Sequence, residues 1–143
     1  MNYKKVTIAG SGVLGSQIAF QSAFFGFEVS VYDINEDAIT KAKQRMSTLK
    51  TTYGEYFQDV DRAEKAFNRL KFYSDLGEAT KDADLVIEAV PERIEIKQNF
   101  YEKLGKVAPE KTVFASNSST LLPSQFAEFT GRPEKFPALH FAN

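Results

Sequence analysis

Residues 7–16 read TIAGSGVLGS and place the pattern G-x-G-x-x-G at Gly10, Gly12 and Gly15. The β-branched run at residues 6–9 predicts a short buried strand just before the pattern. Apolar residues with helical spacing follow it, namely Val13, Leu14, Ile18, Ala19, Ala23 and Phe24. Glycine patterns of this kind arise often by chance, but this one lies where a strand gives way to a helix. That context makes the pattern informative.

Each glycine in this turn has a separate mechanical role. Gly10 allows a tight turn out of the strand, Gly12 lets the backbone approach a pyrophosphate, and Gly15 allows close packing of helix on sheet. The helix that begins near Val13 and Leu14 offers unpaired N–H groups and about half a unit of positive charge to the phosphates. The sequence therefore predicts a cofactor-binding turn made of these five residues. The alternative is a glycine-rich turn that binds no ligand.

Asp33 ends a second predicted strand, at residues 28–33, and lies eighteen positions beyond Gly15. A dinucleotide-binding domain places at this point the acid that accepts hydrogen bonds from the adenine ribose. The carboxylate would repel a 2′-phosphate, and the following Ile34 and Asn35 offer no arginine to neutralise it. The prediction is therefore NAD rather than NADP. The alternative is that Asp33 caps the next helix.

The rest of the chain alternates between strands and helices. Further strands are predicted at residues 70–75, 83–90, 111–118 and 136–143. A helix at residues 34–50 has Asn35 as its N-cap. A second helix, at 54–70, has one face made of Phe57, Val60, Ala63 and Phe67, and a third has Ile96, Phe100, Leu104 and Val107 on its buried face. This alternation predicts an α/β fold, a doubly wound parallel sheet in a single domain covering residues 1–143.

Composition and charge exclude several classes of protein for this chain. The chain has 143 residues, 43% hydrophobic and 26% charged, with a net charge of −1, so we expect no nucleic-acid partner. It has no cysteine, which excludes disulfides and thiolate sites. It has one histidine, so we expect no metal site. No apolar run is long enough for a signal peptide or a membrane span, and the P-loop pattern is absent. We therefore expect a cytoplasmic protein.

Three further stretches carry a family resemblance: VIEAVPERIEIKQNFYEKL at 86–104, FASNSSTLLPS at 114–124 and RPEKFPALHFAN at 132–143. Together with GSGVLGSQIA at 10–19, they resemble the NAD-binding domain of the 3-hydroxyacyl-CoA dehydrogenases. The four motifs occur in the same order and at similar spacing, and they cover essentially the whole chain. VLGSQIAFQ, NSSTLLPS and LHFAN are most similar to the diketoreductase-like branch of that family.

The resemblance implies a role for five residues of the second half. His140 matches the catalytic histidine, and Ser119 matches a serine that hydrogen-bonds the 3-oxygen of the substrate. Glu92 and Lys97 match positions on the nicotinamide side of the cofactor, and Asn117 matches another cofactor contact. These residue types suit the chemistry, because oxidation of a secondary alcohol needs a base for the hydroxyl proton while hydride leaves for the nicotinamide.

Structural alternatives exist for each of these residues. His140 could be a core histidine with satisfied hydrogen bonds, and the serines of SNSST could satisfy the backbone of a turn. Glu92 and Lys97 could form an ordinary solvated pair near the first turn of a helix.

The resemblance implies the NAD-dependent interconversion of L-3-hydroxyacyl-CoA and 3-oxoacyl-CoA, and we expect a short-chain substrate such as 3-hydroxybutyryl-CoA and a role in fatty acid metabolism. Where many members read HFFNP, this chain reads HFAN at residues 140–143. The same chemistry on a non-CoA 3-hydroxy or diketo substrate is therefore an alternative. A non-catalytic NAD-binding module is the second alternative.

The resemblance also implies a longer protein. The family pairs its histidine with a glutamate further along the chain and adds a helical domain that forms the dimer interface and one wall of the substrate cleft. This chain stops three residues after His140. We therefore expect the cofactor-binding half of a homodimeric enzyme, which binds NADH but hardly oxidises 3-hydroxybutyryl-CoA by itself.

The ribose role of Asp33 leads to a first test. We expect Asp33→Ala to weaken binding of NAD much more than binding of NADP, because the carboxylate accepts a hydrogen bond from the ribose of NAD and repels the phosphate of NADP. Titration calorimetry with both cofactors measures the two losses. Equal losses would count against the ribose role.

Overall fold

A computed structural model describes residues 3–116 and 130–135. In these segments one sheet contains five parallel strands in the order β3-β2-β1-β4-β5. The strands are β1 (Lys5–Ala9), β2 (Glu28–Tyr32), β3 (Lys71–Tyr73), β4 (Leu85–Glu88) and β5 (Val113–Ser116). The helices are α1 (Val13–Phe24), α2 (Glu36–Tyr56), α3 (Val60–Arg69), α4 (Leu76–Ala79) and α5 (Ile94–Val107), and a 3₁₀ helix spans Pro133–Lys135. The predicted α/β fold with a doubly wound parallel sheet is confirmed.

Both faces of the sheet are buried, because successive residues of a strand point to opposite sides. On one face, the side chains of α1, α2 and α3 pack on Val6, Ile8, Val29, Val31, Leu85 and Ile87. On the other face, those of α4 and α5 pack on Ala9, Tyr32, Val86 and Phe114. The strand β4 is buried throughout and β1 is buried after its first residue, so these two central strands have no solvent face.

The predicted bounds of the two helices after β2 are partly wrong. Asn35 caps α2 as expected, accepting a hydrogen bond from the amide of Ala38 at 2.9 Å, but α2 continues to Tyr56. Gln58 has a positive φ of 51°, and Asp59 caps the next helix, which begins only at Val60. This break changes the helical phase. Ala63 is buried and Phe67 packs against the core, whereas Phe57 and Val60 are exposed.

The predicted buried face of α5 is also partly wrong. Phe100 and Leu104 are buried as expected, but Ile96 and Val107 are exposed. The other buried residues of this helix are Lys97 and Tyr101. They lie inside because their polar ends bond to Glu88 on β4.

Gly131 lies in a turn before the 3₁₀ helix and has a φ of +73°. The strand predicted at 136–143 lies outside the described residues. None of the helices within residues 3–116 and 130–135 has both the length and the apolar character needed to cross a membrane.

A carboxylate ties two strands together at the amino edge of the sheet. The Asp84 side chain accepts hydrogen bonds from the backbone amides of Lys4 and Lys5, each at 2.9 Å, and pairs with the Lys111 ammonium at 2.9 Å. The amide of Lys5, then that of Lys4, and the Lys111 ammonium lower the pKa of Asp84 to about 2. The start of β1 is thereby held beside the start of β4.

This interaction predicts a pH-dependent contribution to stability. A lowered folded-state pKa stabilises the fold above the unfolded pKa of about 3.9, and the stabilisation is lost as the pH falls towards 2. Because 21% of the Asp84 side chain is exposed, water screens part of the interaction, and we expect Asp84→Asn to cost about 1 kcal/mol at pH 7. Urea unfolding at pH 7 and at pH 3 measures this cost, which should be smaller at pH 3.

Asp82→Asn is the control for this experiment, because Asp82 is an exposed carboxylate in the same loop. We expect it to change the free energy of unfolding by less than about 0.5 kcal/mol. A cost for Asp84→Asn that is the same at both pH values would contradict the assignment to its charge.

Candidate functional site

The strand order locates a crevice at the carboxyl edge of the sheet. From β1 the chain continues to β2 and β3 on one side, and β4 and β5 lie on the other side. In open α/β sheets, ligands bind at the point where the strand order reverses, which here lies between β1 and β4. Ala9 at the end of β1 pairs with both Tyr32 and Glu88. The loops after β1, β2 and β4 therefore meet at one place.

The loop after β1 runs against the loop after β4. Gly10 has a φ of +100°, and a Cβ atom at this position would collide with the carbonyl oxygen of Ala89. A Cβ atom at Gly15 would collide with the carbonyl oxygen of Gly10. The fold itself therefore requires glycine at both positions.

Gly12 is different from the other two glycines of the motif. Its φ of −67° and ψ of −165° are open to any residue, and a Cβ atom added here would meet nothing within 4 Å. The fold leaves this position free to carry a side chain. An open space above the backbone is what a bound diphosphate would need.

The first turn of α1 suits an anion. No side chain caps this helix, and its first turn contains no acidic residue, although helix starts usually have such groups to satisfy their amides. Val13 and Leu14, the predicted contacts in this turn, are 66% and 52% exposed. The residues present therefore fit the phosphates of a dinucleotide.

Asp33 lies beside this turn and fixes it. One oxygen of its carboxylate accepts hydrogen bonds from the Ser11 amide at 2.9 Å and the Ser11 hydroxyl at 2.5 Å, and the other accepts from the Ile34 amide at 2.7 Å. The alternative in which Asp33 caps α2 is wrong, because Asn35 does so. The anchoring of Ser11 is a second task of Asp33 that sequence reasoning missed.

Two more side chains hold the same loop through the carbonyl oxygen of Ser11. It accepts hydrogen bonds from the Arg45 guanidinium at 3.0 Å and from the Ser16 hydroxyl at 2.9 Å. Sequence reasoning looked for an arginine only next to Asp33. Arg45 lies three positions after the buried Ala42 and so on the same face of α2, but no motif in the sequence pairs it with Ser11. The loop is thus held in shape before any ligand binds.

A buried ion pair lies on the other side of the crevice. Lys97 and Glu88 are both 0% exposed, and their Nζ and Oε2 atoms are 2.6 Å apart. The Lys97 ammonium also lies 3.1 Å from a carboxylate oxygen of Glu92, a side chain that is 39% exposed. The alternative of a solvated Glu92–Lys97 pair is therefore wrong, because its lysine is inside the protein.

Glu88 is the centre of this buried group, and sequence reasoning missed it. Its Oε2 atom also accepts from the Val90 amide at 2.8 Å, while Oε1 accepts from the Tyr101 hydroxyl at 2.9 Å and the Ser116 hydroxyl at 2.7 Å. Burial, followed by the charge of Glu88, raises the pKa of Tyr101 well above its usual value. Tyr101 therefore stays protonated and donates to Glu88.

The predicted site residues fall into three groups. Gly10, Gly12, Val13, Leu14, Gly15 and Asp33 meet at the ends of β1 and β2. Glu92 and Lys97 lie beyond the end of β4. His140, Ser119 and Asn117 lie outside the described residues. Within the described ranges, no three histidine, aspartate or glutamate residues are grouped in a way that could hold a metal ion.

The chain is similar to known proteins over its full length. The sequence family described as the NAD-binding domain of 3-hydroxyacyl-CoA dehydrogenase matches residues 5–143. The mitochondrial hydroxyacyl-coenzyme A dehydrogenase of Rattus norvegicus is 34% identical over 146 residues, which cover 98% of this chain and 46% of the rat protein. A probable 3-hydroxybutyryl-CoA dehydrogenase of Bacillus subtilis (strain 168) is 33% identical, with coverage of 100% of this chain and 50% of the relative.

One solved structure has a higher sequence identity to this chain than these two relatives have. A diketoreductase, described for substrate-directed dual catalysis of dicarbonyl compounds, superimposes with a TM-score of 0.94 and is 53% identical, covering 100% of this chain and 51% of the other. The chain thus spans about half the length of the relatives it matches. The family match across residues 5–143 shows that the chain belongs to the 3-hydroxyacyl-CoA dehydrogenase family, as its NAD-binding domain.

Proposed function

We propose that this chain is the cofactor-binding part of a longer NAD-dependent dehydrogenase that interconverts a 3-hydroxyacyl-CoA and a 3-oxoacyl-CoA, with 3-hydroxybutyryl-CoA as the expected substrate. The observation that carries the cofactor assignment is Gly12, a glycine that the fold does not need. Its open space lies at the start of an uncapped helix, next to the crevice between β1 and β4. A diphosphate explains why that position has no side chain.

The proposed binding residues divide the cofactor between the two sides of the crevice. The amides of Gly12, Val13 and Leu14 would hold the diphosphate, and Asp33 would accept a hydrogen bond from the adenine ribose. Asp33 already accepts three hydrogen bonds, two from Ser11 and one from the Ile34 amide, and a carboxylate can accept about four, which leaves one for the ribose. It therefore has capacity for both tasks. Glu92 and Lys97 are proposed to lie on the nicotinamide side of the cofactor, and Asn117 is proposed as another cofactor contact.

The chemistry of the reacting carbon is proposed from the family resemblance. When bound, the nicotinamide supplies the acceptor or donor of hydride. The His140 imidazole would take the hydroxyl proton in oxidation and return it in reduction, and the Ser119 hydroxyl would orient the 3-oxygen. A homodimer, a cytoplasmic location and a role in fatty acid metabolism stay predictions about the whole protein.

A second candidate keeps the same chemistry but changes the substrate to a diketo compound without CoA. The observation in its favour is the identity of 53% to a diketoreductase, against 34% and 33% to the two acyl-CoA dehydrogenases. Both candidates use the same cofactor site. They differ in the part of the substrate that lies away from the reacting carbon.

The cofactor site is tested by Gly12→Ala. We expect the free energy of unfolding to fall by no more than about 1 kcal/mol, because alanine is a poorer N-cap but meets no clash. We expect NADH to bind at least about tenfold more weakly, because the methyl group occupies the space next to the diphosphate. Urea unfolding and titration calorimetry on the same preparations measure the two effects.

Gly77→Ala is the matched control, since Gly77 lies in α4 and its added Cβ atom would come no closer than 3.3 Å to the side chain of Asp75. It should leave NADH affinity unchanged. The cofactor assignment is wrong if Gly12→Ala binds NADH as tightly as the wild type does.

The substrate class is tested on the complete polypeptide that contains this domain. With NADH as reductant, we expect kcat/KM for acetoacetyl-CoA to exceed that for a 3,5-dioxo ester by at least about tenfold, a difference of roughly 1.4 kcal/mol in transition-state binding. The absorbance of NADH at steady state gives both values. The reverse order would replace the first candidate with the second.

A further inference from the structure

We propose that Glu88 is a positioning residue for the nicotinamide half of the cofactor, acting through Lys97 on Glu92 and through Ser116 on the end of β5. This inference rests on the proposed function and assigns a task to a buried carboxylate that touches no ligand itself. It also gives Lys97 the task of holding Glu92.

The contacts of Glu88 join two separate parts of the crevice wall. Through Oε2 it holds Lys97 and the Val90 amide, at 2.6 and 2.8 Å, and so fixes the segment between β4 and α5. Through Oε1 it holds the Ser116 hydroxyl at 2.7 Å, at the last residue of β5. One carboxylate thus joins the segment that carries Glu92 to the last residue of β5.

Exposure divides this group into a hidden part and a part that can reach a ligand. Glu88 and Lys97 are 0% exposed, whereas 39% of the Glu92 side chain is exposed. Glu92 is bound to Lys97 at 3.1 Å. The buried pair of Glu88 and Lys97 therefore holds the exposed carboxylate of Glu92 in place.

The position of the group matches the nicotinamide half. Glu88 pairs in the sheet with Ala9, directly before the glycine turn, so it lies on the β4 side of the crevice. Asp33 follows β2 on the opposite side. A dinucleotide whose adenosine lies by Asp33 and whose diphosphate lies at the turn must extend its other half past the ends of β4 and β5.

The energetics of the pair support a task beyond stability. A buried ion pair often adds little to stability compared with apolar residues of the same volume, because both charges lose their hydration. Both oxygens of Glu88 nevertheless have donors, from one neighbouring strand, a loop and a helix. A buried polar group with its hydrogen bonds satisfied, directly beneath a crevice, can hold in place the residues that line it.

The test separates the two halves of the cofactor. Calorimetry gives Kd values for NADH and for ADP-ribose, which has the adenosine and diphosphate but no nicotinamide. We expect Glu88→Gln to raise the Kd of NADH about tenfold and Tyr101→Phe to raise it about threefold. The Kd of ADP-ribose should change by less than about twofold in both variants. Tyr101→Phe removes one donor and leaves the Glu88 charge paired, so it tests the proposal even if Glu88→Gln does not fold.

Tyr53→Phe is the control, because Tyr53 packs on the opposite face of the sheet, and it should change neither affinity. Equal weakening of NADH and ADP-ribose, or unchanged NADH affinity in folded variants, overturns the positioning role. Equal affinity of the wild type for NADH and ADP-ribose would also overturn the positioning role, but it would leave the proposed function supported. A wild type that binds neither ligand overturns the proposed function and this inference together.

Discussion

The structure depends on one close approach, the crossing of the loop after β1 over the loop after β4. There is no room for a Cβ atom at Gly10 or Gly15, because backbone carbonyl groups occupy that space. The approach brings the start of α1 to the point where the strand order reverses. Asp33, Arg45 and Ser16 then hold the loop through Ser11. The crevice and its anion-binding amides follow from this crossing.

The fold was predictable because its signals are local. Short apolar runs and periodic helices alternate along the chain, and that alternation is sufficient to predict a parallel sheet with two covered faces. The errors have local causes as well. The left-handed backbone at Gln58 and the cap at Asp59 change the phase between α2 and α3, and no apolar periodicity reports such a break. The helix α4 has four residues, too few for a periodic pattern.

The site was predictable only in part, because its two sides differ in what the sequence displays. The glycine turn and Asp33 form a motif with known spacing. The group around Glu88 brings together residues that lie between two and 28 positions from it, and each looks ordinary by itself. Lys97 reads as a surface residue of α5 until its partner is known. Polar residues on a buried helix face can be identified only together with the strand they contact.

The link between Asp84 and the amides of Lys4 and Lys5 shows that the glycine turn depends on residues far from it in the sequence. The bonded residues are 80 and 79 positions apart in sequence, and the wall against which Gly10 fits, Ala89, comes equally late in the chain. A peptide that contained only β1, α1 and β2 would lack both the anchor and the wall. The wall of the turn is therefore complete only once β4 lies beside β1, a long-range contact whose loop closure costs entropy.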